Sequence, residues 1–480
     1  MNSAPGAGYL SVVRNAAFLF GNHALSVLVR GLYVVVVARA LGPQAYGEFN
    51  YGLAWYLVFI ALTYLGLDTY LARRIGSDRS QASDALYQTL VIRVVLAVVA
   101  AIASWSCAWL VQGDLAPRKL IGILSIGLLG RALWLWAVSA FTAFERSHYA
   151  LALDAIFRPL EVGAALAVLA YRRDLHLLAM VHAALWCLQG VVSVDTVRRR
   201  LAPLSGHVTV RGSLSLLATT FPAGVYTIVA SIFMQAPIVM IKLTERVQVD
   251  LGQFALAYQS CVYLLVIPYV VSSAMLPVAA RAVVRGDGKD TALVGLLVRV
   301  TCVFGVAAVV LSGPLLPPLV EALFGARYQP AGALLQLAVW LVIPFSVVTF
   351  LLQLFFARGA YAPAGWHGAA GVLAMCLMFP PAVAQMAGAG ALLSVGAGLS
   401  VWYLFLVAVA PRFVPGYDRS GSLRAFGCAC AAAVAFGLMG SEGALTQATA
   451  TLAILMVACI ASGALRRSDL GLLASLLSRR

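Results

Sequence analysis

Apolar residues in this chain are gathered into long runs that recur from one end to the other. About 20 consecutive apolar residues carry a helix once across the hydrocarbon of a bilayer. Between charged or Gly/Pro-rich breaks the chain offers about fourteen such cores: 14–38, 50–71, 85–111, 120–143, 150–171, 176–196, 215–241, 252–280, 292–312, 331–356, 362–385, 389–410, 422–440 and 446–465. In hydrocarbon every backbone polar group must find a partner within the protein, so each run predicts a helix. A membrane β-barrel would alternate polar and apolar residues along each strand, and these runs do not. Apolar residues make up 62% of the sequence and charged residues only 11%. That balance excludes a water-soluble enzyme, a secreted domain and a disordered chain. The expectation is an all-α polytopic membrane protein.

The formal charge of +15 lies mostly between the apolar runs. With the amino terminus inside, 20 Lys and Arg fall in cytoplasmic segments, 8 in the opposite loops and 5 within spans. This asymmetry predicts both termini in the cytoplasm and an even number of spans, and no nucleic-acid partner. The first span, polar at Asn15, Asn22 and His23, reads as a retained helix rather than a cleaved signal. All eight cysteines lie in apolar runs without a C-x-x-C pair, so they read as packing residues and no metal site is expected. The end of the chain, 467–480, places Leu470, Leu473 and Leu477 at helical spacing. It reads as an amphipathic interfacial tail on the cytoplasmic face or as a frayed end.

An internal repeat organises the spans. YGEFNYGLAWYL from Tyr46 and LGQFALAYQSCV from Leu251 align Gly47 and Phe49 with Gly252 and Phe254, each segment opening the second span of a six-span block. Six spans return the chain to the same side, so the blocks are parallel repeats about an axis along the membrane normal. The expected domains are a six-helix bundle over 1–205, a second over 206–411, helices 13 and 14 over 412–466, and the tail over 467–480. Two such bundles would enclose a central cavity. Pro222, Pro237, Pro268, Pro277 and Pro344 predict bends in helices 7, 8 and 10.

The opening RNAAFLFGNHALSVLVRGLYVVVVARALGPQAYGEFNYGLAWYL, with GLDTYLARRIG after the second span, resembles the polysaccharide transporter family of oligosaccharide flippases. FPAGVYTIVASIFMQAPIVMI, LGQFALAY, AMLPVAAR and LFGARYQPAGALLQLAVW extend the resemblance over nearly the whole chain. That family belongs to the multidrug/oligosaccharidyl-lipid/polysaccharide flippase superfamily. The resemblance implies a bacterial inner-membrane protein, not an enzyme. Its cargo would be a polyprenyl-pyrophosphate-linked oligosaccharide repeat unit, flipped by alternating access for exopolysaccharide, O-antigen or capsule synthesis. It implies no cofactor, H+ or Na+ as coupling ion, and a polysaccharide polymerase and co-polymerase as partners. Lipid II flippases and cation-coupled multidrug exporters of the same superfamily are the alternative. An oligosaccharide polymerase or ligase fits less well, because the outer loops are short. The drug-exporting branch usually carries an acid in its first span, and here that span has Arg30, Asn22 and His23 but no Asp or Glu.

Charges within the spans are the candidate working groups. A charged side chain at mid-bilayer costs about 2.5–3.5 kcal/mol on insertion scales, so such groups are expected to face a cavity or a partner. Arg30, Arg93, Arg131, Arg158 and Arg299 fall in this class. Arg30, Arg131 and Arg158, with Asn22 and Trp134, are the substrate-binding candidates, since guanidinium forks match phosphate oxygens and stay protonated. Snorkelling or pairing with a nearby acid is the alternative for each Arg. Asp154, Arg158 and Glu161 follow an i, i+4, i+7 spacing that stacks them on one helix face. Two readings are open for this triad: Asp154 or Glu161 as a proton or sodium site, or a self-neutralising group that stabilises the bundle. His182 reads as a titrating group or a satisfied core histidine. Asp68 and Asp195, near span ends, read as partners for Arg73 and Arg198. Trp55, Tyr56, Trp134 and Trp136 read as packing residues or stacking faces for sugar rings.

Overall fold

The structure, a computed structural model, describes residues 5–244, 250–265, 288–413, 417–438 and 444–463. Among them every regular element is helical, and each expected apolar core falls on a helical segment, the eighth, thirteenth and fourteenth over their described parts. The chain is an all-α, multi-pass membrane protein. Pro268 and Pro277 and the amphipathic tail 467–480 lie outside the described residues.

Two compact units emerge, Met1–Leu243 with Asp250–Ala255, and Thr244–Val249 with Leu256–Arg480. The first contains α1 (Pro5–Ile60), α2 (Leu67–Ser77), α3 (Ala82–Val111), α4 (Leu115–Ala143), α5 (His148–Tyr171), α6 (Leu175–Arg200) and α7 (Val210–Leu243). Two spans run together in α1, separated only by Gly42 at φ 75° with Pro43 after it. Glycine tolerates that left-handed backbone, and proline suits the first turn of the helix that resumes. The expected polar loop from 39 to 49 is therefore mostly helix. Its polar groups do not break the element; Asn50 Nδ2 donates back to the Tyr46 carbonyl at 2.9 Å.

The two glycines of the internal repeat meet. A Cβ on Gly47 would stand 2.6 Å from the Gly252 nitrogen, and one on Gly252 would overlap the Pro43 carbonyl oxygen. Phe49 and Phe254, the other matched pair, are both fully buried.

A second break interrupts span two. After the short 3-10 turn Ala61–Thr63, Leu65 and Gly66 take φ of 36° and 76°, and α2 departs at 42° to the segment before it. Arg93 of α3 reaches this break fully buried. It pairs with Asp68 in the first turn of α2, donates to Thr63 Oγ1 at 3.4 Å and lies over the Tyr64 ring at 5.0 Å. Ser139 Oγ of α4 donates to the same carboxylate at 2.8 Å. The expected pairing of Asp68 with Arg73 is thus replaced by one with Arg93. The reason is the break, which turns the Asp68 carboxylate towards the fully buried guanidinium of Arg93. Asp195 does pair with Arg198, at 2.9 Å, and also with Arg199 at 2.8 Å.

Helices α4 and α6 are pressed together along small residues. A Cβ on Gly130 would overlap the Cys187 backbone, and one on Gly190 would overlap the Gly130 carbonyl. Close backbone approach of this kind is the usual way membrane helices gain van der Waals contact. It brings the α6 side chains described below within reach of α4 and α5. Asp174 caps α6 by accepting from the His176 and Leu177 amides, which holds its carboxyl below the usual carboxylate range.

The second unit contains most of α8 (Leu251–Leu264), then α9 (Gly288–Ser312), α10 (Leu316–Phe324), α11 (Gln329–Ala338), α12 (Val342–Ala357), α13 (Tyr361–Phe413), α14 (Arg419–Leu438) and α15 (Ala444–Ser462). The tenth span is interrupted by a 3-10 turn at Val339–Leu341. Pro344 lies just beyond it, and a proline cannot donate to the residue four before it, here Trp340. The tenth span nevertheless runs as one apolar segment from Ala326 to Ala357. In α7 the helix runs through Pro222 and Pro237 as one element. A second merged pair of spans, α13, breaks at Ala387 with φ 50°. Arg299 of α9 is buried and pairs with Asp418 at 3.1 Å.

Two substitutions test these contacts in the melting of the detergent-solubilised chain. Gly252→Ala is expected to destabilise by about 1–3 kcal/mol through overpacking, while Gly163→Ala, where nothing lies within 4 Å of a new Cβ, is expected to be neutral. Asp68→Asn is expected to lower stability by about 2 kcal/mol, less than for a fully buried pair because Asp68 is partly exposed. Adding Arg93→Met to it should recover much of that loss.

Candidate functional site

Two polar stripes face each other in the first unit. On α5, Asp154, Arg158 and Glu161 lie on one face as their spacing predicts. Arg158 Nη1 donates to Glu161 Oε2 at 3.1 Å, and its Nε stands 3.5 Å from Asp154 Oδ1. On α6, His182, Trp186 and Gln189 repeat the same i, i+4, i+7 spacing. Trp186 Nε1 donates to Glu161 Oε1 at 2.8 Å, His182 Nδ1 meets the same oxygen at 2.7 Å, and Gln189 Nε2 donates to Asp154 Oδ1 at 2.9 Å. Each stripe alone would expose unpaired polar atoms to hydrocarbon; together they satisfy one another.

The network extends to α1 and α4. Tyr33, before the Gly42 break, places its hydroxyl 2.5 Å from His182 Nε2. Phe49, after the break, lies 5.5 Å from the imidazole, ring to ring, and Tyr56 lies 5.0 Å from Trp186. Arg131 of α4 is near enough to act electrostatically on both Glu161 and Tyr64. Arg131 is 9% exposed and its Nη1 atom is buried with no hydrogen-bond partner among the described residues.

The expected site residues divide accordingly. Asp154, Arg158 and Glu161 come together, with Arg131 beside them. Trp134 is placed elsewhere, in an apolar cluster with Leu71, Trp136, Phe141 and Phe157. Trp136 there donates to Thr89 Oγ1 at 3.1 Å, and Trp55 donates to the Ser104 carbonyl at 3.2 Å. The side chains of Asn22 and Arg30 lie outside the described residues. Three members of the network, Tyr33, Trp186 and Gln189, were not expected. The α6 stripe was legible as a repeat of the α5 spacing, but Trp and Gln read individually as ordinary packing residues.

What the network can do is hold charge. Among the described residues, the carboxylates of Asp154 and Glu161 stand against the guanidiniums of Arg158 and Arg131. The oxygens of Glu161 are occupied by N–H groups of Trp186, His182 and Arg158. A hard cation requires several oxygen lone pairs free at once, and three nitrogen donors already on this carboxylate suit it poorly to one.

Comparison with known proteins agrees with the architecture. Residues 12–283 match the model of the family described as polysaccharide biosynthesis protein. No curated protein matches the sequence significantly. Among solved structures, the lipid II flippase MurJ in an inward closed conformation aligns with a TM-score of 0.66 at 12% identity, covering 95% of this chain and 99% of its own. A multidrug resistance MATE family transporter of the MOP superfamily, inward-facing, aligns at 0.64 with 14% identity over 81% of this chain and 95% of its own. A MOP superfamily transporter from Pyrococcus furiosus gives 0.62 at 14% identity, covering 86% and 99%. These likenesses establish a shared fold. With more than half of its length matched by the family model, this chain belongs to the polysaccharide biosynthesis protein family.

Proposed function

We propose that this chain is a flippase that carries a polyprenyl-pyrophosphate-linked oligosaccharide repeat unit across the bacterial inner membrane by alternating access, with both termini in the cytoplasm. No bond is made or broken in such a cycle. The family assignment supports a role in polysaccharide synthesis, and the fold is that of transporters. A polysaccharide polymerase and co-polymerase are the expected partners.

The observation that carries the reading is Arg131. It is a guanidinium deep in a membrane helix, and one of its terminal nitrogens has no partner among the described residues. A buried donor without an acceptor is costly unless a ligand supplies one. Phosphate oxygens are the natural acceptors for its fork, and guanidinium cannot be neutralised to admit a cation instead. Arg158, already engaged by Glu161 and Asp154, positions the wall of this site. Arg30 and Asn22 on the first span belong to the same proposal. The surplus of donors disfavours a cationic drug as cargo.

The test replaces Arg131 with Gln and with Lys in cells whose only copy is the variant. A charge-assisted hydrogen bond is worth about 1.5–3 kcal/mol, so Arg131→Gln is expected to reduce surface polysaccharide by about tenfold or more at normal membrane abundance. Lipid-linked repeat units should accumulate on the cytoplasmic leaflet, and Arg131→Lys should restore part of the output. Unchanged polymer with Arg131→Gln would remove this residue from the site.

A further inference from the structure

We propose that His182 is a proton site whose protonation is coupled to the binding of an anionic, phosphate-bearing ligand beside Arg131. The proposal rests on the reading of Arg131 given above and adds the identity of the coupling ion and the direction of coupling.

His182 is almost fully buried on α6, and both ring nitrogens are engaged: Nδ1 with Glu161 on α5 and Nε2 with the Tyr33 hydroxyl on α1. Beside an ionised Glu161, the neutral imidazole carries its hydrogen on Nδ1 and donates it to the carboxylate, so Nε2 accepts from the Tyr33 O–H. Taking up one proton places a hydrogen on Nε2 as well. The bond to Tyr33 then reverses, with the phenol oxygen accepting and its O–H released to another acceptor. Both protonation states are therefore accommodated without breaking the α1–α6 link. Histidine is the side chain suited to change charge near neutral pH.

Among the described residues, the charged and titratable groups that face this imidazole come from three elements. From α5 come Glu161 directly, with Arg158 and Asp154 behind it; from α1, Tyr33; from α4, Arg131, through its action on Glu161. Protonation of His182 adds one positive charge to this buried group. In a low-dielectric interior that single charge strengthens the attraction for an anion next to Arg131. By linkage, an anion bound there favours proton uptake by His182 to the same degree. Sodium is disfavoured in this role because three nitrogen donors already crowd the Glu161 oxygens.

The experiment uses the purified full-length chain in lipid nanodiscs and UDP-glucose as a soluble pyrophosphate diester, whose phosphates stay fully ionised from pH 6 to pH 8. Titration calorimetry is run at both pH values, and at pH 7 in two buffers of different ionisation enthalpy. The wild type is expected to bind about fivefold or more tightly at pH 6 than at pH 8, with net proton uptake. His182→Gln should lose the pH dependence, whatever its affinity. Equal wild-type affinity at both pH values without proton uptake, or a pH dependence retained in His182→Gln, would overturn the coupling and leave the Arg131 site standing. Binding that Arg131→Gln does not weaken, or no saturable binding by the wild type, would overturn the Arg131 reading and the coupling with it.

Discussion

A charge placed in hydrocarbon has to be answered by another group of the same protein, and this requirement shapes the chain more than any other. Each buried arginine whose side chain is described, apart from Arg131, is met by a carboxylate: Arg93 by Asp68, Arg158 by Glu161 and Asp154, Arg299 by Asp418. The pairs of Arg93 and Arg299 join different elements, so the electrostatics help to determine which helices are neighbours. Arg158 pairs within its own helix, and its acids are in turn bonded by α6.

Small residues make those pairings geometrically possible. The close approach of Gly130 and Gly190 brings α6 near enough to α4 and α5 for single hydrogen bonds to span the gap. The break at Leu65 and Gly66 does the same for Asp68, which an unbroken helix would direct elsewhere. Buried ion pairs are weak sources of net stability, since desolvation offsets most of their attraction. Their value here is in specifying contacts. A buried cluster of paired charges is also sensitive to a single added proton, which links its structural role to the proposed coupling.

Much of this was legible in the amino-acid sequence. Run length gave the spans, because only helices can cross hydrocarbon with a satisfied backbone. The i, i+4, i+7 spacing of Asp154, Arg158 and Glu161 announced a shared face, and the Gly47 and Gly252 alignment pointed to positions that prove to touch. Less was visible where an answer depended on a second helix. Asp68 was closest in sequence to Arg73, but a break in its own span aims it at Arg93. Trp134 was placed near Arg131 by chain distance, yet it points into an apolar cluster. His182 read alone gave no sign that Trp186 and Gln189 extend it into a stripe matching α5. Loop length was overstated before Phe49, because Gly42 and Pro43 turn the chain in two residues.

The account stands on Arg131 facing an aqueous, anion-accessible interior rather than lipid. Cysteine labelling in membrane vesicles measures this most directly, using an Arg131→Cys variant of a chain otherwise stripped of cysteine. A charged, membrane-impermeant methanethiosulfonate should modify the new thiol, and UDP-glucose should slow the modification. A thiol inert to the charged reagent but modified by a bilayer-soluble maleimide would place position 131 against acyl chains and contradict the account.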